Sequence, residues 1–108
     1  MKIAAAVLSF LPTALAVTCA VEAGCAGCGQ VAWPSFVETD GKYVATAAGW
    51  ATMTLSGSTI TLENVSGSTL TVCNYGAVCY YISPHSDCTT EEPSGFKTSA
   101  GMQVWQHP

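Results

Sequence analysis

Hydrophobic and polar residues alternate most regularly between Leu55 and Val72. The stretch reads Leu55-Ser-Gly-Ser-Thr-Ile-Thr-Leu62, then Glu63-Asn64, then Val65-Ser-Gly-Ser-Thr-Leu-Thr-Val72. One eight-residue phrase is written twice, with a period of ten. A period of two puts Ile60 and Leu62 on one face and Thr59 and Thr61 on the other. The second copy splits in the same way, Leu70 and Val72 against Thr69 and Thr71. Threonine, isoleucine and valine are stiff at Cβ and suit a pleated surface. Glycine in each Ser-Gly-Ser permits a tight turn. Two successive strands of an antiparallel meander are predicted, with Glu63-Asn64 at the hairpin tip.

The same alternation extends outward. Tyr43–Ala48 and Trp50–Leu55 read as strands broken at Gly49. Val78–Ser83 is another, closed by Pro84, with Asn74-Tyr75-Gly76 as the turn before it. Gln30–Trp33 is a short strand stopped by Pro34, and Met102–Gln106 a final edge strand. Ser35–Lys42 reads as loop, although Asp40-Gly41 also fits the tight turn of a hairpin into Tyr43. His85–Gly95 is polar and reads as loop. No segment keeps a helical i, i+3, i+4 pattern for three turns. The expected core is Met53, Leu55, Ile60, Leu62, Leu70 and Val72. The fold class is all-β: a small disulfide-stapled antiparallel meander, sandwich-like or barrel-like.

The amino terminus stands apart from this pattern. Lys2, the short apolar run Ile3–Leu11 and the small residues Ala14 and Ala16 match a secretory signal peptide cleaved after Ala16. The run is too short to span a bilayer as a helix, which takes about 20 residues. A single domain, residues 17–108, is expected to remain, 92 of the 108 residues. A domain this small buries only about 60–65% of its unfolded surface and needs reinforcement.

Six cysteines supply it: Cys19, Cys25, Cys28, Cys73, Cys79 and Cys88. An even count in a short exported chain reads as three disulfides. They divide three before the meander and three after, with 44 residues between Cys28 and Cys73. Cys73 shares parity with Thr69 and Thr71, so the threonine face there is expected to lie under another segment. That parity motivates a pairing in which all three bridges join the early cysteines to the late ones.

Charge narrows the function. The chain has seven acids, three lysines and no arginine, a net charge of −4, which becomes −5 without Lys2. Nucleic-acid binding rests on Lys and Arg contacts to phosphate and is not expected. Attraction to anionic membranes is disfavoured for the same reason, and no membrane insertion is expected.

Candidate chemistry is sparse. Cys25-Ala-Gly-Cys28 has the spacing of a redox dithiol, but that motif works at a helix start in a βαβ setting; a structural disulfide is the expected role. A zinc site from Cys25, Cys28 and two of Cys73, Cys79 and Cys88 lacks a second short cysteine pair. His85-Ser86-Asp87 holds the residue types of a nucleophilic triad, but adjacent side chains point apart and no GxSxG elbow is present. A turn after Pro84 accounts for the same letters. Glu91-Glu92 reads as solvated loop. No catalytic residue, cofactor or metal is assigned. Asn64-Val65-Ser66 is an N-glycosylation sequon, with Asn64 as the acceptor. Tyr80 and Tyr81 fall on opposite faces, so one is core and the other free to stack on a sugar or anchor a partner.

A short Ala-rich leader, an acidic chain of about a hundred residues and six cysteines together resemble the small secreted cysteine-rich proteins of filamentous fungi. Many of these resemble effectors that plant-associated fungi release into the host. The doubled cysteines of hydrophobins are absent, and Cys28-Gly29-Gln30 departs from fungal cellulose-binding modules. The resemblance implies a secreted, non-enzymatic, monomeric protein that binds a host protein or glycan, outside the host cell or after translocation into it. The alternatives are an antimicrobial or killer-type toxin and a protease inhibitor. Ser35–Lys42 and Pro84–Gly95 are the segments expected to meet a partner.

Overall fold

A computed structural model describes residues 17–74 and 78–108. The leader assigned to residues 1–16 and most of the turn assigned to 74–76 lie outside the described residues. Ten strands form two antiparallel five-stranded sheets, stacked as a sandwich rather than closed as a barrel. Sheet I has the order β3 (Val37–Thr39), β4 (Lys42–Ala47), β5 (Ala51–Ser56), β6 (Thr59–Asn64), β9 (Asp87–Glu91). Sheet II has the order β1 (Ala20–Glu22), β8 (Cys79–Ile82), β7 (Leu70–Cys73), β10 (Gln103–Gln106), β2 (Gly29–Ala32). One short 3-10 turn, Thr98–Ala100, is the only helical element among the described residues.

Sheet I is the meander that the alternation predicts. Two-residue loops join β3 to β4 and β5 to β6. Asp40 and Gly41 both take positive φ, 52° and 79°, as a type I′ hairpin turn requires. Gly57, in the first Ser-Gly-Ser, does so at 62°. The inner face carries Ala45, Met53, Leu55, Ile60 and Leu62, and sheet II answers with Leu70, Val72, Tyr80, Ile82 and Val104. All six residues of the expected core are buried. A fully buried side chain of this size contributes about 1.5–3 kcal/mol.

The second copy of the repeat does not pair with the first. β6 and β7 belong to different sheets, and Gly67 lacks the positive φ of Gly57. Asn64 makes the difference. It ends β6 on the inward parity, with 1% of its surface exposed, so its amide must be satisfied inside. Its Oδ1 accepts from the Ser66 amide at 2.9 Å, an Asx turn that swings the chain out of sheet I. Its Nδ2 donates to the carbonyls of Ser68, Ile82 and Ser83. Asn64 therefore sits in a buried crossover between sheets, not at a hairpin tip.

Both segments read as loops contain strands. Within 35–42, β3 pairs with β4; within 85–95, β9 adds to the free edge of β6. β9 (Asp-Cys-Thr-Thr-Glu) is too polar to show a core face, and its position is set by pairing with β6 and by Cys88. β10 lies inside sheet II between β7 and β2 rather than at an edge. The stretch before Cys25, read as irregular, holds β1. Residues 17–19 first pair in parallel with β9, through Cys19 N–H to the Thr89 carbonyl and Thr89 N–H to the Val17 carbonyl. The chain then crosses to sheet II as β1.

The three disulfides are Cys19–Cys88, Cys25–Cys28 and Cys73–Cys79. The expectation that all three join early to late cysteines is overturned. Only Cys19–Cys88 does so, clamping the chain where it crosses between the sheets. Cys73 and Cys79 face each other across the β7–β8 pair, so the nearest partner is a cross-strand neighbour. Cys25 and Cys28 close a four-residue turn.

Candidate functional site: the covered face of sheet II

Registers across sheet II align its outward side chains in two rows. One row runs Glu22, Cys79, Cys73, Gln103 across β1, β8, β7 and β10. The next runs Ala20, Tyr81, Thr71, Trp105 across the same strands. His107 continues the parity of β10 beyond its end, and its amide donates to the Thr69 carbonyl. The parity of Cys73 predicts that this face is covered, and it is: Thr71 and Cys73 are 2% and 7% exposed. The turn after β1 lies over the face, and Gly27 packs close to Pro108.

Thr71 is the centre of a small polar relay. Its hydroxyl donates to Glu22 Oε1 and lies 2.8 Å from His107 Nε2. Glu22 Oε1 is 3.7 Å from the same ring nitrogen. The Tyr81 ring meets the His107 ring edge to face at 5.4 Å. A single hydroxyl proton given to the carboxylate leaves Thr71 only its lone pairs for the imidazole. The Thr71 oxygen can therefore accept from an Nε2–H of His107.

Beside the relay is a cleft of about 300 Å³, lined by Gly24, Cys25, Thr71, Cys73, Asn74, Cys79, Gln103 and Trp105. Asn74 shapes its floor. The Asn74 amide donates to the Lys97 and Gly101 carbonyls and accepts the Lys97 amide, tying the 97–101 turn to sheet II. What the cleft offers a ligand is the partly exposed Trp105 and the Gln103 amide, and Tyr81, 42% exposed, stands next to Thr71 in the adjoining row. Tyr80, on the opposite parity, is core. Burial pushes its phenol above the usual tyrosine range, and a hydrogen bond with Thr90 opposes that in part.

The other residues singled out in the sequence fall elsewhere. A second cleft, of about 320 Å³, is lined by Glu63, Asn64, Val65, His85, Ser86 and Asp87. There Ser86 Oγ donates to the Ser83 carbonyl at 2.6 Å, so its proton is engaged by backbone in the turn after Pro84. Glu63 and Asp87 face each other across β6 and β9, a like-charge pair that weakens that end of the sheet. Glu91 and Glu92 are exposed, and Glu91 accepts from Ser58. The four-cysteine zinc set is not brought together, because Cys73, Cys79 and Cys88 are tied into their own bridges. At Asn64, the nitrogen that would carry a glycan is committed to three carbonyls in a closed site.

Sequence reading missed Glu22, Thr71 and His107 as a group. They lie 49 and 36 residues apart, on β1, on β7 and beyond β10. Only the shared parity of Thr71 and Cys73 pointed to that face. No helix among the described residues is long and apolar enough to cross a membrane. Compared with protein-family models, curated proteins and solved structures, the chain matches none.

Proposed function

We propose that this chain is a secreted, non-catalytic binding protein of the effector type, released by a plant-associated fungus. Its ligand is a host glycan, taken up on the outer face of sheet II. The reading rests on one observation above all: the cleft beside Thr71 combines the aromatic surface of Trp105 with the Gln103 amide on a braced sheet. Aromatic faces stack on the apolar faces of sugars, and amides match hydroxyl groups in both donor and acceptor roles. Strand registers and the Cys73–Cys79 bridge hold these groups in place, so binding costs little ordering. The acidic balance favours this over a membrane-active toxin.

A host protein partner is the second reading. It is favoured by the free edge of β3, where Val37 is 62% exposed. An exposed edge strand accepts an added strand from a partner.

The test is a glycan-array and plant-extract binding screen with wild type, Trp105→Ala and Gln103→Ala. Glycan binding lost in both cleft variants, with unchanged far-UV dichroism, supports the first reading. Binding that survives both but fails in Val37→Asp moves the partner to the β3 edge. Killing of competing microbes without effect on host responses would move the protein to the toxin class.

A further inference from the structure

The Cys25–Cys28 turn has a neighbour that its spacing does not announce. The two sulfurs and a ring nitrogen of His107 lie within 4.8 Å of one another. We propose that Cys25, Cys28 and His107 form a redox-gated site for a thiophilic d10 cation, Zn2+ or a chemically similar ion. The site is closed while Cys25 and Cys28 are joined and opens when that bridge is reduced. This proposal is independent of the glycan-binding reading.

Three features carry it. The first is the ligand set. Two thiolates and a neutral imidazole match the donors that zinc selects. Tetrahedral bond lengths place such ligand atoms roughly 3.5–3.8 Å apart. Closure of the three groups onto an ion therefore needs only small side-chain movement. Cys25 also lines the cleft, which gives water or another ligand a path to the ion.

The second is the relay behind His107. Metal-bound histidines almost always donate the other ring N–H to a carboxylate, carbonyl or water, which orients the ring and raises its basicity. Here Nε2 lies 2.8 Å from the Thr71 hydroxyl, which in turn donates to Glu22. With Nε2 engaged by Thr71, Nδ1 is assigned as the nitrogen that takes the ion.

The third is access. Cys19, Cys73 and Cys88 are 5%, 7% and 6% exposed and Cys79 is half-buried, and Cys25–Cys28 is the one bridge with both cysteines partly open to solvent. Exposed disulfides are the ones that reductants reach first. Opening this bridge releases a turn spanning a sequence separation of 3 and leaves the clamp between the sheets intact.

The chemistry balances with a named reductant. A phosphine attacks one sulfur; with water it becomes a phosphine oxide, and the disulfide takes two electrons and two protons to give two thiols. Binding of Zn2+ displaces both thiol protons and forms two Zn–S bonds. A dithiol serves in the same way and is itself oxidised to a disulfide. Reoxidation by a small-molecule disulfide, which takes the two electrons and two protons and leaves as two thiols, rejoins Cys25 and Cys28, withdraws two of the three ligands and releases the ion.

The test uses the secreted chain with all three disulfides formed. Limiting phosphine is added, and peptide mapping identifies the freed thiols. Zn2+ is then titrated against a chromophoric chelator, and Co2+ is added separately as a spectroscopic probe. Expected are free thiols at Cys25 and Cys28, one ion per chain, and thiolate-to-cobalt charge transfer with intense tetrahedral bands. The oxidised protein should bind at least about 100-fold more weakly, having lost two ligands. His107→Gln and Glu22→Gln should each weaken binding by about 10–100-fold while leaving the rate of phosphine reduction unchanged. Reduction of another bridge first, no ion bound by the reduced chain, equal binding by His107→Gln, or collapse of the fold on opening this bridge would each overturn the proposal. Binding retained by a Cys25→Ser/Cys28→Ser chain would overturn it as well.

Discussion

On sheet I, Thr61 stands on the outer face among Thr46, Thr52, Thr54 and Thr89, open or half open to water. On sheet II, Thr71, the matching residue of the second repeat copy, is 2% exposed under the turn after β1. The two residues share neighbours in sequence, strand geometry and parity. They differ in what lies above them. A threonine on an open face satisfies its hydroxyl with water, and its neighbours need only be β-branched. A threonine on a covered face must find protein partners, and Thr71 has found Glu22 and His107. Among the described residues, no buried side-chain nitrogen or oxygen lacks a hydrogen bond. Covering a face thus converts a repetitive surface into one with specified chemistry.

The largest effect should come from releasing the cover where it crosses between the sheets. Cys19→Ser/Cys88→Ser opens a loop of sequence separation 69 and should cost about 4 kcal/mol by chain entropy. Cys25→Ser/Cys28→Ser should cost about half as much or less, because its loop is short. Urea titration of both double variants measures the gap, and equal losses would mean that the N-terminal segment is not the clamp.

Asn64 comes next, as the residue that sends the second copy to the other sheet. Asn64→Ala removes the two amide N–H donors shared among three carbonyls and should cost about 2–4 kcal/mol. The same geometry predicts that folded protein from a glycosylating host carries no glycan at Asn64, which intact-mass measurement reads directly. A stable, fully glycosylated product would show that the crossover tolerates an open amide.

The paired threonines give the sharpest comparison. Thr71→Val keeps shape and β-propensity but removes the centre of the relay, and should cost about 1–2 kcal/mol. Thr61→Val should fall within about 0.5 kcal/mol of wild type. Thermal unfolding of the two variants side by side decides it; equal effects would make the covered face no more demanding than the open one.

The smallest effect concerns Tyr80. Its phenol is raised in the folded chain, so the neutral form is favoured there. The associated stability is complete below the unfolded tyrosine pKa of about 10 and is lost as pH rises through the folded value. Tyr80→Phe should flatten the alkaline limb of the stability profile, leaving the neutral region altered only by loss of the Thr90 hydrogen bond.

Alternation made much of this legible. Ile60, Leu62, Leu70 and Val72 declare their face two residues at a time, and Asp40-Gly41 and Gly57 declare their turns. Cys73, out of phase with its apolar neighbours, declares that its face is covered. Partnership between sheets has no such local sign. The two copies of the repeat read alike, yet one buried asparagine side chain sends them to different sheets. β1 is only three residues long and β9 is mostly polar, and only pairing with β8 and β6 makes them strands. The relay joins residues from three distant strand ends, where spacing along the chain carries no information about distance. Cysteine pairing was misread because a cross-strand neighbour outweighs a distant partner once β7 and β8 are adjacent.

The crossing of residues 17–22 also bears on how the chain reaches its native state. Hairpins β3–β4, β4–β5 and β5–β6 are local and close cheaply. The partners of residues 17–22, β8 and β9, lie about sixty to seventy residues further on, and such distant contacts form slowly because loop closure precedes any gain. Until β9 is added, β6 presents Thr-Ile-Thr-Leu as an unpaired edge, the kind of surface on which chains join one another. Folding of this chain is therefore most exposed to aggregation between the completion of β6 and the arrival of Cys88 beside Cys19, and an oxidising environment shortens that interval by trapping the closed sandwich.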